Sequence, residues 1–182
     1  MADKEGLSGQ EIYNILKTSC GQRVQAAFLD VYSVDRIPLN KIVQRVKQHN
    51  TTACIINTAE AHEPKGEHWT AMAYFPKPKR CYYFDSYGFG PIQKGTHSLM
   101  LLVAETCGTT CYYNDRELQD LSDSTSTACG FYCIFFVWAA CNGWTLKNII
   151  KTFADCKGDK DYLAKLLVHS ISHICNTTLP DT

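Results

Sequence analysis

Of the ten cysteines in this 182-residue chain, one stands where a thiol becomes a nucleophile. Cys129 lies in Ser126-Thr127-Ala128-Cys129-Gly130-Phe131, where a Ser/Thr-rich loop gives way to an apolar run. If that run is a helix, its unpaired N–H groups and its dipole stabilise a thiolate, the reactive form of cysteine. Cys133 and Cys141, deeper in the same run, read as small buried hydrophobes. A cysteine nucleophile needs a base, and the base needs an acceptor to orient it. His68-Trp69 opens one apolar stretch, and Phe84-Asp85-Ser86-Tyr87-Gly88 ends another, with Asp85 seventeen residues after His68. If these are hairpin neighbours, imidazole and carboxylate meet at one end of a sheet. Asp85 then accepts from one ring nitrogen while the other faces Cys129. The plainer readings stay open, since a histidine beside a tryptophan also packs in cores and an aspartate before Ser-Tyr-Gly also starts turns.

Two other constellations resemble metal sites. Cys107 with Cys111, and Cys129 with Cys133, are each C-x3-C pairs, but a zinc site built from both would consume the nucleophile and lacks the diagnostic two-residue spacing. His169 and His173 sit four apart, with Cys175 close by. That is ligand spacing without a fourth partner, and it equally describes the exposed face of a helix. No metal is expected.

The elements that must position Cys129, His68 and Asp85 can be read from periodicity. Ser8 and Glu11 form a capping box ahead of the stripe Ile12, Ile15 and Leu16, and Gly21 is placed to stop that helix. A β-rich stretch from Ala26 to Tyr32 follows. Leu39, Ile42, Val43 and Val46 have helical spacing, with Asn50 at the expected end. Ala53 to Asn57, His68 to Phe75 and Arg80 to Asp85 read as three strands of an antiparallel meander, the last two joined tightly through Pro76-Lys77-Pro78-Lys79. Thr96 to Glu105 reads as helix and Cys111 to Asn114 as a short strand. Thr127 to Cys141 is apolar almost all round, as a buried helix is. Helices around Leu146 to Phe153 and Asp161 to Ile174 complete the chain. A central mixed or antiparallel sheet flanked by helices, rather than alternating with them, is α+β. No linker or repeat divides the chain, so residues 1–182 are expected to form one domain.

Composition narrows the function. Forty-five per cent hydrophobic and 20 per cent charged residues suit a globular core, and 18 Lys+Arg against 18 Asp+Glu leave no formal net charge. Strong sequence-independent binding to nucleic acid or an anionic membrane draws on surplus positive charge, so neither is expected. Apolar runs such as Ile134 to Ala140 are too short to cross a bilayer, and Met1-Ala2-Asp3-Lys4-Glu5 carries no secretory pattern. The cysteines are accordingly expected to be free, catalytic or metal-bound rather than a disulfide framework, in a protein that is not secreted.

The order His68-Trp69, then Tyr83-Phe84-Asp85-Ser86-Tyr87-Gly88-Phe89, then Ala128-Cys129-Gly130-Phe131-Tyr132-Cys133 resembles the adenovirus endopeptidase (adenain) family of cysteine proteases. That family occurs also in adenovirus-like viruses and virus-like transposons, and shares its fold with proteases that remove ubiquitin-like proteins. Asn57-Thr58 before the histidine, and Phe28-Leu29 to Tyr32 followed by Arg36-Ile37-Pro38, fit as well. The resemblance runs from about residue 26 to about residue 142, and the last forty residues resemble nothing that can be aligned.

The resemblance implies Cys129 as nucleophile, His68 as general base and acid, and Asp85 as the acidic partner. It implies a glutamine donor to the oxyanion, usually six or seven residues before the cysteine, where this chain has Asp123 and Ser122. Gln119, ten residues before, is preferred, with a loop about three residues longer; the alternative is a surface glutamine with Ser122 or Asp123 in its place. Trp69 walls the site, or is core, or both. The family is activated by a capsid-derived peptide, disulfide-linked to a cysteine eighteen residues before the nucleophile, and by DNA. Cys111 has that spacing, but the longer loop that admits Gln119 shifts the register, and a plain strand cysteine explains it equally. DNA activation is doubtful for a neutral chain. The expected function is a monomeric cysteine endopeptidase that needs no cofactor for its chemistry. It would cleave viral precursor proteins near Gly during virion maturation, in the nucleus or cytoplasm of an infected cell and in the virion. The alternatives are removal of ubiquitin-like modifiers, or an idle protein-binding module on the same fold.

Overall fold

All six residues of the run 52–57 are buried, and a strand hides both its faces only when helices cover both sides of the sheet. A computed structural model, describing residues 6–63 and 68–177, has that arrangement. Met1–Glu5, in which the sequence shows no secretory pattern, lie outside the described residues. Helices α1 (Gly9–Thr18) and α2 (Gln22–Ala27) precede β1 (Phe28–Ser33), and α3 (Leu39–Lys47) precedes β2 (Thr52–Asn57), β3 (Trp69–Pro76) and β4 (Lys79–Asp85). Then come α4 (Lys94–Cys107), β5 (Cys111–Tyr113), α5 (Cys129–Cys141), α6 (Leu146–Ala154) and α7 (Lys160–Thr177).

The strands form one sheet in chain order. β2, β3 and β4 make the expected antiparallel meander. β1 joins β2, and β5 joins β4, in parallel, each through a helical crossover of the kind parallel neighbours require. The sheet is mixed and the fold α+β.

Alternation along the strands divides the core into two layers. Ala53, Ile55, Ala71, Ala73, Tyr82 and Phe84 belong to the cluster of α1, α2, α5, α6 and α7. Cys54, Ile56, Met72, Tyr74, Cys81 and Tyr83 belong to that of α3 and α4. Helix α5 is apolar all round because it is enclosed: the Phe136 ring stacks on Phe84 of β4 at 4.9 Å. No helix among the described residues is long and apolar enough to cross a membrane.

Several boundaries differ from the sequence reading. Gly21 does not stop the first helix. That helix ends at Thr18, and Gly21, at φ 81°, turns the chain into α2. Ala26 and Ala27, expected in a strand, finish α2, whose Gln, Arg and Ala residues favour helix. α3 ends at Lys47, before Asn50, with His49 taking the left-handed conformation at φ 56°. The buried helix begins at Cys129 rather than Thr127. Its N-cap, Ala128, provides no side-chain hydrogen bond, so no capping signal marks the boundary.

Candidate active site

The β3–β4 hairpin turns through Lys77 and Pro78 and pairs Thr70 with Asp85. This register sets His68, just ahead of β3, beside the end of β4. His68 Nε2 lies 2.8 Å from Asp85 Oδ1, with both residues buried. The carboxylate is held in place: the same Oδ1 accepts from the Tyr87 amide at 2.8 Å. The Asp85 amide donates to Asn114 Oδ1 at 2.9 Å, and its carbonyl accepts from Asn114 Nδ2 at 2.6 Å. The Tyr87 ring stacks on the imidazole at 4.3 Å. Gly88 closes the turn at φ 82°, where a Cβ would stand 2.7 Å from the Arg116 carbonyl carbon.

Cys129 reaches the pair through the packing of α5 on β3. The buried thiol of Cys133 donates to the Trp69 carbonyl at 3.2 Å, so Cys129, one turn earlier, falls beside the residue preceding Trp69. Leu7, Ile12 and Trp69 crowd the space above Gly130, each with an atom within 3.4 Å of where a Cβ would stand. His68 Nδ1 is buried and makes no hydrogen bond to another described residue within ordinary geometry, while the Cys129 thiol is near enough to act on the imidazole. Burial, the largest single influence on His68, lowers its pKa. The hydrogen bonds and charges of Asp85 and Cys129 together outweigh it and raise the pKa to about 9. Burial pushes the Cys133 thiol far up and the Cys141 thiol to about 12, so both are unreactive at neutral pH.

Gln119 is buried, with its Oε1 accepting from Ser86 Oγ at 2.7 Å and its Nε2 donating to Ser126 Oγ at 2.6 Å. Its amide, with that of Leu118, also donates to the Ser86 carbonyl. Ser122 and Asp123, at the family's usual positions, are exposed and occupied in local turns with Asp120 and Thr125. Trp69 is both core and wall. It packs against the α5 cluster, donates Nε1–H to the Leu7 carbonyl at 3.0 Å, and lines a cleft of about 1010 Å³ with Asp30, Tyr32, Asn57, Tyr87 and Cys129. Cys111 is partly buried on β5, with Cys81 as its register partner. A hydrogen bond between the two free thiols lowers the pKa of Cys111 and raises that of Cys81. His169 and His173 are exposed on α7, and no three metal-binding side chains gather among the described residues.

Solved structures share this architecture. The crystal structure of an ASFV protease matches with a TM-score of 0.62 over 91% of this chain and 67% of that one, at 18% identity. The central domain of an uncharacterized Legionella pneumophila protein matches at 0.52 over 95% and 99%, at 14% identity. The fold is that of the adenain-like cysteine proteases. The family model of the adenovirus endoproteases matches residues 40–158, and the chain belongs to that family. The protease of Bovine adenovirus 2 is 32% identical over 96 residues, which are 50% of this chain and 46% of that protein. That of Human adenovirus B serotype 3 is 30% identical over 93 residues, 48% and 44%. The chain thus spans about half the length of these curated relatives. The family match begins later than the sequence resemblance, at 40 instead of 26, and extends past residue 142 to 158. It stops short of α7.

Four residues around the site escaped the sequence reading as individual contributors: Tyr87, Asn114, Ser126 and Asp161. Tyr87 was within reach, because it lies inside the Asp85-Ser86-Tyr87-Gly88 motif. Asn114 and Asp161 act from 29 and 35 residues away from Asp85 and Ser126, respectively, and no local pattern announces them.

Proposed function

We propose that the chain is a cysteine endopeptidase. The observation that carries this reading is the buried His68, bonded to Asp85 through Nε2 at 2.8 Å, with Nδ1 unbonded among the described residues and acted on by Cys129, which lines a cleft. The Sγ proton moves to Nδ1, and Asp85 holds the resulting imidazolium by its Nε2–H. The thiolate attacks the scissile carbonyl, forming a C–S bond and an oxyanion. The Cys129 amide and Gln119 Nε2 donate to that oxygen. Collapse breaks the C–N bond, and Nδ1–H protonates the leaving amine. His68 then takes a proton from water, which attacks the thioester and releases the acid and the free thiol. Burial of Gln119, beside exposed Ser122 and Asp123, supports its role as the donor. Trp69 shields the ion pair from water.

The substrates of this reading are viral precursor proteins cut near Gly, processed during virion maturation in an infected cell; the longer loop that admits Gln119 takes from Cys111 the spacing that would make it the attachment point of an activating peptide. Incubating the purified chain with Gly-containing viral-type peptides and with ubiquitin-like conjugates tests it. Peptide cleavage that is lost in Cys129→Ala, with folding retained, is expected. Preferred cleavage of the conjugates would change the substrate class, and cleavage by Cys129→Ala would overturn the mechanism.

A further inference from the structure

The hydrogen bonds around Gln119 continue past Ser126 to α7. Ser126 Oγ donates to Asp161 Oδ2, and Tyr132 OH donates to Asp161 Oδ1 at 3.0 Å. Tyr132 is fully buried on α5, so the carboxylate is held from a second side. We infer that Asp161, acting through Ser126, is a positioning residue that fixes which way round the Gln119 amide sits. The inference rests on the reading of Gln119 as the oxyanion donor.

Proton accounting carries it. A carboxylate only accepts, so the Ser126 hydrogen is committed to Asp161. Ser126 Oγ is left to accept, and of the two ends of the Gln119 amide only Nε2 can donate to it. At the other end the Ser86 hydroxyl donates to Oε1. Nitrogen and oxygen of the amide are thereby distinguished, which nothing in the shape of an amide does by itself. One Nε2 hydrogen goes to Ser126, and the second, with no partner among the described residues, is the one that would meet an oxyanion. In Asp161→Asn the new side-chain amide can turn its Nδ2 to Ser126, which then accepts from it and donates to Oε1, so that the Gln119 amide can turn its acceptor towards the developing negative charge. Asp161 stands beyond the family match, which ends at 158. Ser126 lies in the stretch that separates Gln119 from Cys129 by more residues than the family's usual spacing. Loop and helix therefore form one device: the longer loop presents a hydroxyl to the glutamine, and α7 brings the carboxylate that sets the direction of its proton.

The test compares wild type, Asp161→Asn, Asp161→Glu, Ser126→Ala, Gln119→Ala and the double variant Asp161→Asn/Gln119→Ala. Three quantities are read: kcat and KM on a Gly-containing peptide, the alkylation rate of Cys129 by iodoacetamide, and solvent exchange of the Gln119 side-chain amide by NMR. Asp161→Asn is expected to lower kcat about 10-fold to 100-fold with little change in KM. Alkylation, which forms no oxyanion, stays at the wild-type rate, and Asp161→Glu recovers part of the loss. In the Gln119→Ala background Asp161→Asn costs nothing further. An unchanged kcat, an alkylation rate that falls in step with kcat, or additive losses in the double variant would overturn the relay. If Asp161→Asn does not fold, Ser126→Ala at its half-exposed position reads the same link. A wild-type chain that cleaves no peptide would refute the protease reading, and the Gln119 amide then decides the relay. Slow exchange that quickens in Asp161→Asn supports it, and exchange indifferent to Asp161 overturns it.

Discussion

Replacing Asp85 with Asn should shift the pH dependence of the enzyme in a defined direction. Asn is the same size, and its Oδ1 can still accept from the Tyr87 amide and from His68 Nε2–H, while Asn114 binds only the backbone of residue 85. The change therefore removes a charge and little else. His68 stands at about 9 against an ordinary 6.5, a net rise corresponding to about 3 kcal/mol in favour of the imidazolium. Burial alone would lower this pKa, so Asp85 and Cys129 together raise it by more than the net value. Loss of an adjacent carboxylate charge is worth about 1–3 units, which moves the His68 pKa down to about 6–8. His68 carries its second proton below that pKa and loses it as the pH rises through it, so the basic limb of kcat/KM set by the imidazolium moves to lower pH. For a variant pKa of about 7, the imidazolium fraction at pH 8 falls from about nine-tenths to about one-tenth. A kcat/KM profile from pH 5 to 10 on a Gly-containing peptide, with circular dichroism to confirm folding, measures it. A basic limb that stays near 9, or moves up, would refute this account of the His68–Asp85 pair.

Three other outcomes follow from the packing and the thiols. With thiols raised to about 12, Cys20, Cys54 and Cys141 hold about a thousandfold less thiolate than a thiol at 9; peptide mapping after brief iodoacetamide treatment at pH 7.5 should find Cys129 and Cys111 labelled and these three untouched. Gly88→Ala puts a Cβ 2.7 Å from the Arg116 carbonyl carbon at φ 82°, and should cost about 2–4 kcal/mol in urea unfolding. Phe136→Ala removes a fully buried ring stacked on Phe84 and should cost about 3–5 kcal/mol by the same measurement.

The legible parts of the molecule share a physical origin. Strands β2 to β4 alternate between two buried faces and β3 passes to β4 through a tight turn, so the run lengths and Pro76-Lys77-Pro78-Lys79 were enough to place His68 beside Asp85. A polar loop meeting an apolar run likewise located the start of α5. What eluded the sequence depended on geometry without a local signature. α2 is six residues long, too short for an amphipathic stripe, so the helix preference of Ala26 and Ala27 had no periodic pattern to set it against the β-rich Phe28 to Tyr32. The N-terminus of α5 has no side-chain cap. The position of Gln119 could not be fixed by counting back from Cys129, because it stands ten residues before it and not the six or seven that the resemblance implies, and what stands out is its burial between Ser86 and Ser126. Asp161 meets Ser126 only because α7 folds back on α5.

The most direct test of the central claim is intact-mass analysis of the chain quenched in acid during turnover of a Gly-containing peptide ester. An adduct of the acyl fragment, mapped to Cys129, is expected, which disappears in Cys129→Ala and fails to accumulate at the wild-type rate in His68→Ala. Turnover without any covalent adduct and undiminished in Cys129→Ala, or an adduct on a cysteine other than Cys129, would contradict it.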